Sequence, residues 1–240
     1  FKWVPREEAI TEVYKALQPS IRFARDEIMD LPPTTWADRD VDLTTEQAKA
    51  YRDMQSQLFA EVRQGTIVAA NEGVKVAKLI QIAIGVSYGH NGSNVEMSAQ
   101  PRLDEARHVV TESEGKVLIF VPYIAALHSV ADYMRKCGFE TRVVHGSVSM
   151  RERNEIFGEF QQQDSIRVLV CQPDAMAHSL TLTRASTIVW FAPTLSAKTY
   201  EQACGRITRP GQTRNTYIVH LVGTDIERRI YTRLKTKQRL

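Results

Sequence analysis

The stretch Glu201–Asn215, EQACGRITRPGQTRN, sets Gln202, Arg206, Arg209 and Gln212 close together around a glycine and a Pro-Gly pair. Arginine stays charged at any ordinary pH, and its planar fork matches the oxygens of a phosphate. Arg206 and Arg209, three apart, are expected to share one face of a short helix. Gly205 would let a backbone or ligand come close, and Gln202, one turn before Arg206, could orient a water or a phosphate oxygen. The competing reading is an arginine pair that bridges acidic side chains, and for a bare RxxR it is the better one. The complete string Q-x-x-G-R-x-x-R-x-G-Q is far more specific and describes a device for a polyphosphate.

A nucleotide cradle does not accompany it. The P-loop pattern GxxxxGK followed by Ser or Thr is absent from these 240 residues. The DEAR run at Asp104–Arg107 imitates a magnesium-binding strand end, but it sits in a helical pattern behind AQPRL rather than behind an apolar strand. Arginines that act on a nucleotide held elsewhere are arginine fingers.

Two textures organise the chain. Residues 1–113 read as a mostly helical segment. Within it, PREEAITEVYKAL and VKVAKLIQIAIGVSYG have helical spacing, and IRFARDEIMDLPP stops at paired prolines. The long run from Val41 to Gly65 opens with a capping box at Thr44 and Gln47. GHNGSN reads as a loop, and PRLDEARHVVTES as a further helix. From residue 114 to 240 short apolar runs alternate with amphipathic helices: KVLIFV, ETRVVH, IRVLVC, STIVWFA and NTYIVHLV are the strands. Capping boxes at Ser149–Glu152 and Thr224–Glu227 open two of the helices. That alternation predicts an α/β fold, a parallel sheet with helices on both faces. Ligands of such sheets gather at the carboxyl ends of the strands.

Composition agrees with a globular protein, at 43% hydrophobic and 25% charged residues. No apolar run has the length to span a bilayer, so no membrane partner is expected. Cys137, Cys171 and Cys204 stand singly, without metal-ligand spacing, and predict buried reduced thiols in a cytoplasmic protein. Net charge is +3, but residues 201–240 hold nine Lys/Arg against three Asp/Glu. A basic end suits a polyanion, and equally suits a solvated terminal helix. Phe1 is not a natural start, and the chain is expected to be a piece of something longer.

Taken in order, these segments resemble the second, C-terminal RecA-like lobe of superfamily 2 helicases in the Swi/Snf-like branch. The arginine string resembles motif VI. KVLIFVPY resembles motif IV, VVHGSVSMRERNEIFGEFQ the strand, His-Gly turn and helix that follow it, and VLVCQPDAMAHSLTLTRASTIVWFAPTLS motif V with its next strand. IRFARDEIMDLPP with VDLTTEQAKAYRDM resembles the segment leaving lobe 1, and the QPDAMAHSLTLT variant looks more like phage and bacterial members than eukaryotic remodellers. Where motif V commonly has a glycine before its leucine, Ser179 stands here.

The resemblance implies roles. Arg209 first and Arg206 beside it would reach the γ-phosphate of ATP, held with Mg2+ on a lobe 1 that these residues do not include, and Gln202 would position water or phosphate. Ser179, Leu180, Thr181 and Thr183 of motif V would line the backbone of double-stranded DNA. Pro122 and Tyr123 would face the tracked strand, with His145 and Gly146 on the same side. A bacterial or phage-infected cytoplasm is the implied setting. Each residue also has a structural reading. Tyr123 is a helix-start aromatic, His145 bonds a neighbouring loop, the two threonines are turn hydroxyls, Trp190 is core, and the basic tail is solvated. Two other functions remain at this stage: a nucleic-acid docking module without ATPase activity, and a dinucleotide enzyme, for which no GxGxxG follows any strand.

Overall fold

The computed structural model describes residues 6, 8–19, 31–63, 69–88, 94–176 and 181–238. The chain divides into two compact units, Phe1–Leu31 and Pro32–Leu240. The first contains helix α1 (Ala9–Ala16), and the IRFARDEIMD segment lies outside the described residues.

The second unit is built on a six-stranded sheet. Its strands are β1 (Thr34–Asp40), β4 (Lys116–Phe120), β5 (Thr141–Val144), β6 (Val168–Cys171), β7 (Ala185–Trp190) and β8 (Thr216–Val222). The order across the sheet is β1-β8-β7-β4-β6-β5, and every neighbouring pair is parallel. The helices are α2 (Thr45–Arg63), α3 (Ala69–Ala83), α4 (Gln100–Glu112), α5 (Ile124–Lys136), α6 (Met150–Gln162), α7 (Ala197–Cys204) and α8 (Asp225–Gln238). A small antiparallel pair, β2 (Val86–Tyr88) and β3 (Asn94–Glu96), stands apart from the main sheet.

Every residue of β4, β6 and β7 is buried, which a strand achieves only when both faces of its sheet are covered. Fully burying one such Val, Ile or Leu side chain stabilises the fold by about 1.5–3 kcal/mol. The expected α/β architecture is therefore present. Trp190 is fully buried, in the core as its structural reading required. Among the described residues no helix is long and apolar enough to cross a membrane.

Two elements depart from the sequence reading. The segment TTWADRD is strand β1, an edge of the main sheet, although it falls inside the stretch read as mostly helical. Aspartate is a poor strand former, so the local signal is weak. Pairing with β8 supplies the strand instead, and the charged residues blunt its outer edge. The expected helix through VKVAKLIQIAIGVSYG stops at Ala83. Gly85 has φ +82, where a Cβ would come within 2.5 Å of the Met97 carbonyl oxygen, so the helix ends there and Val86–Tyr88 pairs as a strand. Of the GHNGSN loop, residues 89–93 lie outside the described residues.

Capping follows the sequence closely. Thr44 N donates to Gln47 Oε1 at 3.0 Å and Gln47 N to Thr44 Oγ1 at 3.3 Å. Glu152 N and Glu227 N are likewise capped by Ser149 and Thr224. The DEAR run lies within helix α4, as its pattern indicated.

Candidate phosphate and nucleic-acid interface

Helix α7 opens on Ser196, which accepts from Thr199 N at 3.2 Å, and ends at Cys204. Arg206 and Arg209 therefore do not share a helical face as expected; both lie in the turns that follow. Glycine is a weak helix residue, and Arg209 precedes Pro210, which disfavours α geometry there. Gly205 itself has φ −65, open to any residue, whereas Gly211 at φ +94 makes the turn that needs a glycine.

The two arginines have separate environments. Arg206 is 3% exposed. Its Nη2 donates to the Met176 carbonyl, while its own carbonyl accepts from Leu182 N at 3.0 Å. Burial, and then the charge of Arg209, hold its pKa below the usual arginine value. Arg209 is half-buried and donates from Nε to the Gly205 carbonyl at 3.0 Å. Its two terminal nitrogens make no hydrogen bond or ion pair among the described residues, so its fork is open to a ligand.

The two amides also separate. Gln202 is exposed on α7. Gln212 is buried, donates to the carbonyls of Ala185 at 2.9 Å and Ile207 at 3.0 Å, and accepts from Thr213 N and Arg214 N at 3.1 Å. It ties the turns to the start of β7 and has no capacity left for a ligand.

At the carboxyl edge, adjacent strands β4, β6 and β5 bring three expected pieces side by side. Pro122 and Tyr123 follow β4 and are half-buried. The Tyr123 hydroxyl reaches the Ala77 carbonyl at 3.4 Å. His145 and Gly146 follow β5; His145 Nδ1 accepts from Ser147 N at 3.3 Å, and its ring meets His128 edge-on at 5.3 Å. Between them, β6 runs into the single turn Pro173–Met176.

Sequence reasoning missed the side chains that fasten these loops. Gln172 accepts from Gly146 N at 3.0 Å. Arg153 on α6 donates to the carbonyls of Val148 at 3.1 Å and Ala175 at 3.3 Å. Thr199 donates to Asp174 at 3.1 Å, joining α7 to the same turn. Arg153 is one of two arginines in SMRERNE, and nothing in its spacing marks it out.

The motif V threonines are elsewhere. Ser179 and Leu180 lie outside the described residues. Thr181 is exposed, and its carbonyl accepts from Gln161 at 3.2 Å. Thr183 is two residues before β7, at the amino edge of the sheet and beside Gly211. The structure thus gathers Pro122, Tyr123, His145 and Gly146 at one edge and places Thr183 at the other.

The helicase conserved C-terminal domain matches residues 101–211, from helix α4 through the arginine turn. The backbone superposes on the SWI2/SNF2 ATPase core of Sulfolobus solfataricus, solved in complex with dsDNA, with a TM-score of 0.70 and 23% identity. That match covers 97% of this chain and 51% of the other. Residues 101–211 carry a helicase conserved C-terminal domain, on a fold similar to that of SWI2/SNF2 ATPase C-terminal domains.

The chain is 30% identical over 139 residues to the chromodomain-helicase-DNA-binding protein 1-like of Danio rerio, covering 58% of this chain and 14% of the relative. It is 24% identical over 214 residues to putative protein p41 of Acyrthosiphon pisum secondary endosymbiont phage 1, covering 83% of this chain and 44% of the relative. The lobe spans less than half the length of either relative.

Proposed function

We propose that this lobe is the second half of an ATP-dependent DNA translocase motor, in which Arg209 and Arg206 act on ATP bound by a first lobe and the carboxyl edge grips duplex DNA. One observation carries the reading. Arg206 is bonded through its side chain to Met176 and through its backbone to Leu182, so the arginine turn and both flanks of the motif V segment move as one piece. A shift in the DNA-lining segment is then a shift of the phosphate-contacting arginines. The SWI2/SNF2 core with dsDNA supports the choice of duplex as partner.

The donor set here fits the phosphate end of ATP. Arg209 presents an unused fork, and exposed Gln202 lies on the helix leading into the same turn. The magnesium is assigned to the first lobe, where it would neutralise phosphate charge. The contribution of this lobe is to complete the phosphate contacts when the cleft closes, which in comparable systems is worth about 10³–10⁵ in rate.

The test is DNA-stimulated ATP hydrolysis by the complete protein with Arg209→Ala. Turnover should fall by about that factor while the fold persists, and unchanged turnover sinks the proposal. A docking module without ATPase activity is the second reading, favoured by Ser179 standing where motif V commonly has a glycine. A complete protein that binds duplex DNA yet hydrolyses no ATP would establish it.

A further inference from the structure

A pocket of about 360 Å³ opens at the amino edge of the sheet, where β4 and β7 begin. Four cations converge on it: Lys116, Arg167, Arg184 and Arg214, against the two carboxylates of Glu114 and Asp164. The inner members, buried Lys116 and half-buried Arg167, are satisfied without counter-charge among the described residues. Lys116 Nζ donates to the carbonyls of Phe160 and Gln163, and Arg167 donates to those of Val110, Ser113 and Glu114. Neither makes an ion pair among the described residues.

The outer members face solvent. Arg184 pairs with Asp164, an exposed carboxylate in contact with water. Arg214 is exposed, and its side chain makes no hydrogen bond or ion pair among the described residues. It lies against Gly115, where a Cβ would come within 3.0 Å of Nη1 and 2.3 Å of Ser186 Oγ. The glycine there leaves room for the Ser186 side chain beside it, with the Arg214 guanidinium close by. Burial and then Arg214 lower the pKa of Arg167; burial and then Arg184 lower that of Lys116. Like charges gathered this closely repel, and an anion that bridges them removes the penalty. The pocket also holds the Thr183 and Thr213 side chains.

We propose that this pocket binds phosphate, gripped by the forks of Arg214 and Arg184 over the fixed charges of Lys116 and Arg167. Two sources carry that chemistry, a nucleic-acid backbone and a free polyphosphate. The site uses none of Arg206, Arg209 or the carboxyl-edge residues, so its failure and that of the motor reading are separable.

The probe is tripolyphosphate, titrated calorimetrically into this chain. Saturable binding is expected, weakened at least about tenfold by Arg214→Glu and by Arg184→Glu, each replacing a charge-assisted contact with a repulsive one. Both side chains are exposed, and circular dichroism checks that the variants fold. Lys136→Glu, on α5, should bind as wild type. Displacement of tripolyphosphate by a duplex oligonucleotide assigns the site to a nucleic-acid backbone; persistence of the bound tripolyphosphate assigns it to a free polyphosphate. No binding by wild type overturns the proposal. So does equal affinity in Arg214→Glu, or an equal loss in Lys136→Glu, which would reduce the effect to diffuse charge.

Discussion

Tyr200 on α7 and His220 on β8 are joined by a 2.6 Å hydrogen bond from the phenol hydroxyl to Nε2. On its other side His220 donates from Nδ1 to Asp38 of β1 at 2.7 Å, and Lys235 of α8 meets the same carboxylate at 3.0 Å. The chain of contacts ties the helix that leads into the arginine turn to the edge strand. An accepting Nε2 and a donating Nδ1 describe a neutral ring. Burial, outweighing the attraction of Asp38, lowers the His220 pKa to about 4. Asp38 is pushed up by burial, but bonds from His220 and Lys235 prevail and hold it below the usual carboxylate range.

Stability should therefore fall as the pH drops from about 6.5 to about 4. In that window the unfolded chain protonates His220 and the folded chain refuses the proton, so acid favours unfolding. The full loss is on the order of 3 kcal/mol. Asp38 acts in the same direction at lower pH, because its depressed pKa makes its contribution vanish as it is protonated. Urea unfolding at pH 7 and pH 5 measures the effect. His220→Gln should show a visibly smaller difference between the two; an identical difference would remove His220 from the account.

Gln212→Ala should destabilise the lobe by about 1–3 kcal/mol, because it strands two buried carbonyls and two backbone N–H groups. Gln202→Ala, at an exposed position, should stay within about 0.5 kcal/mol of wild type. Chemical denaturation of the two variants separates the amides that the sequence presents as a pair. Equal stability would mean that Gln212 does not hold the turn.

The contrast between those amides shows what spacing conveys. Strands β4, β6 and β7 were legible because burial on both faces demands unbroken apolar runs, and the capping boxes were legible because both partners sit three residues apart. Strand β1 was hidden because its pairing with β8 joins residues far apart in sequence. The roles of Arg206 and Gln212 were hidden for the same reason: Met176, Leu182 and Ala185 are distant in the chain. The arginine string was expected to set both arginines on one helix face, but which arginine is buried and which keeps an open fork depends on where α7 ends. Motif IV and the His-Gly turn lie at the same edge of the sheet, with β6 between them, because parallel strands present their carboxyl ends together.

Arg102→Met should cost about 3–5 kcal/mol. Arg102 and Glu227 are 1% and 0% exposed and meet at 2.8 Å; Arg102 also donates to the Phe191 carbonyl at 2.6 Å. Removing the cation leaves a buried carboxylate supported, among the described residues, by Gly223 N and the Thr224 hydroxyl. Arg102→Met combined with Glu227→Gln should recover part of the loss, since no charge then remains buried. A double variant no more stable than the single one would show that the packing of the arginine matters more than its charge.

Arg206 and Arg209 should part company when folding and hydrolysis are measured on the same variants. Arg206→Ala removes a buried guanidinium and leaves the Met176 carbonyl without that donor, so it should lower stability by about 1–3 kcal/mol. Arg209→Ala removes a half-buried side chain whose one bond is to the carbonyl four residues before it, and should change stability by less than about 0.5–1 kcal/mol. In the complete protein both should suppress DNA-stimulated hydrolysis, Arg209→Ala by losing the open fork and Arg206→Ala by loosening the motif V flanks as well. Lysine separates the mechanisms further. Arg206→Lys keeps a charge and one donor toward Met176 and should recover most of the stability, whereas Arg209→Lys loses the forked grip on phosphate and should recover little turnover. Full turnover with Arg209→Lys would mean that a point charge suffices at that position and the fork is not used.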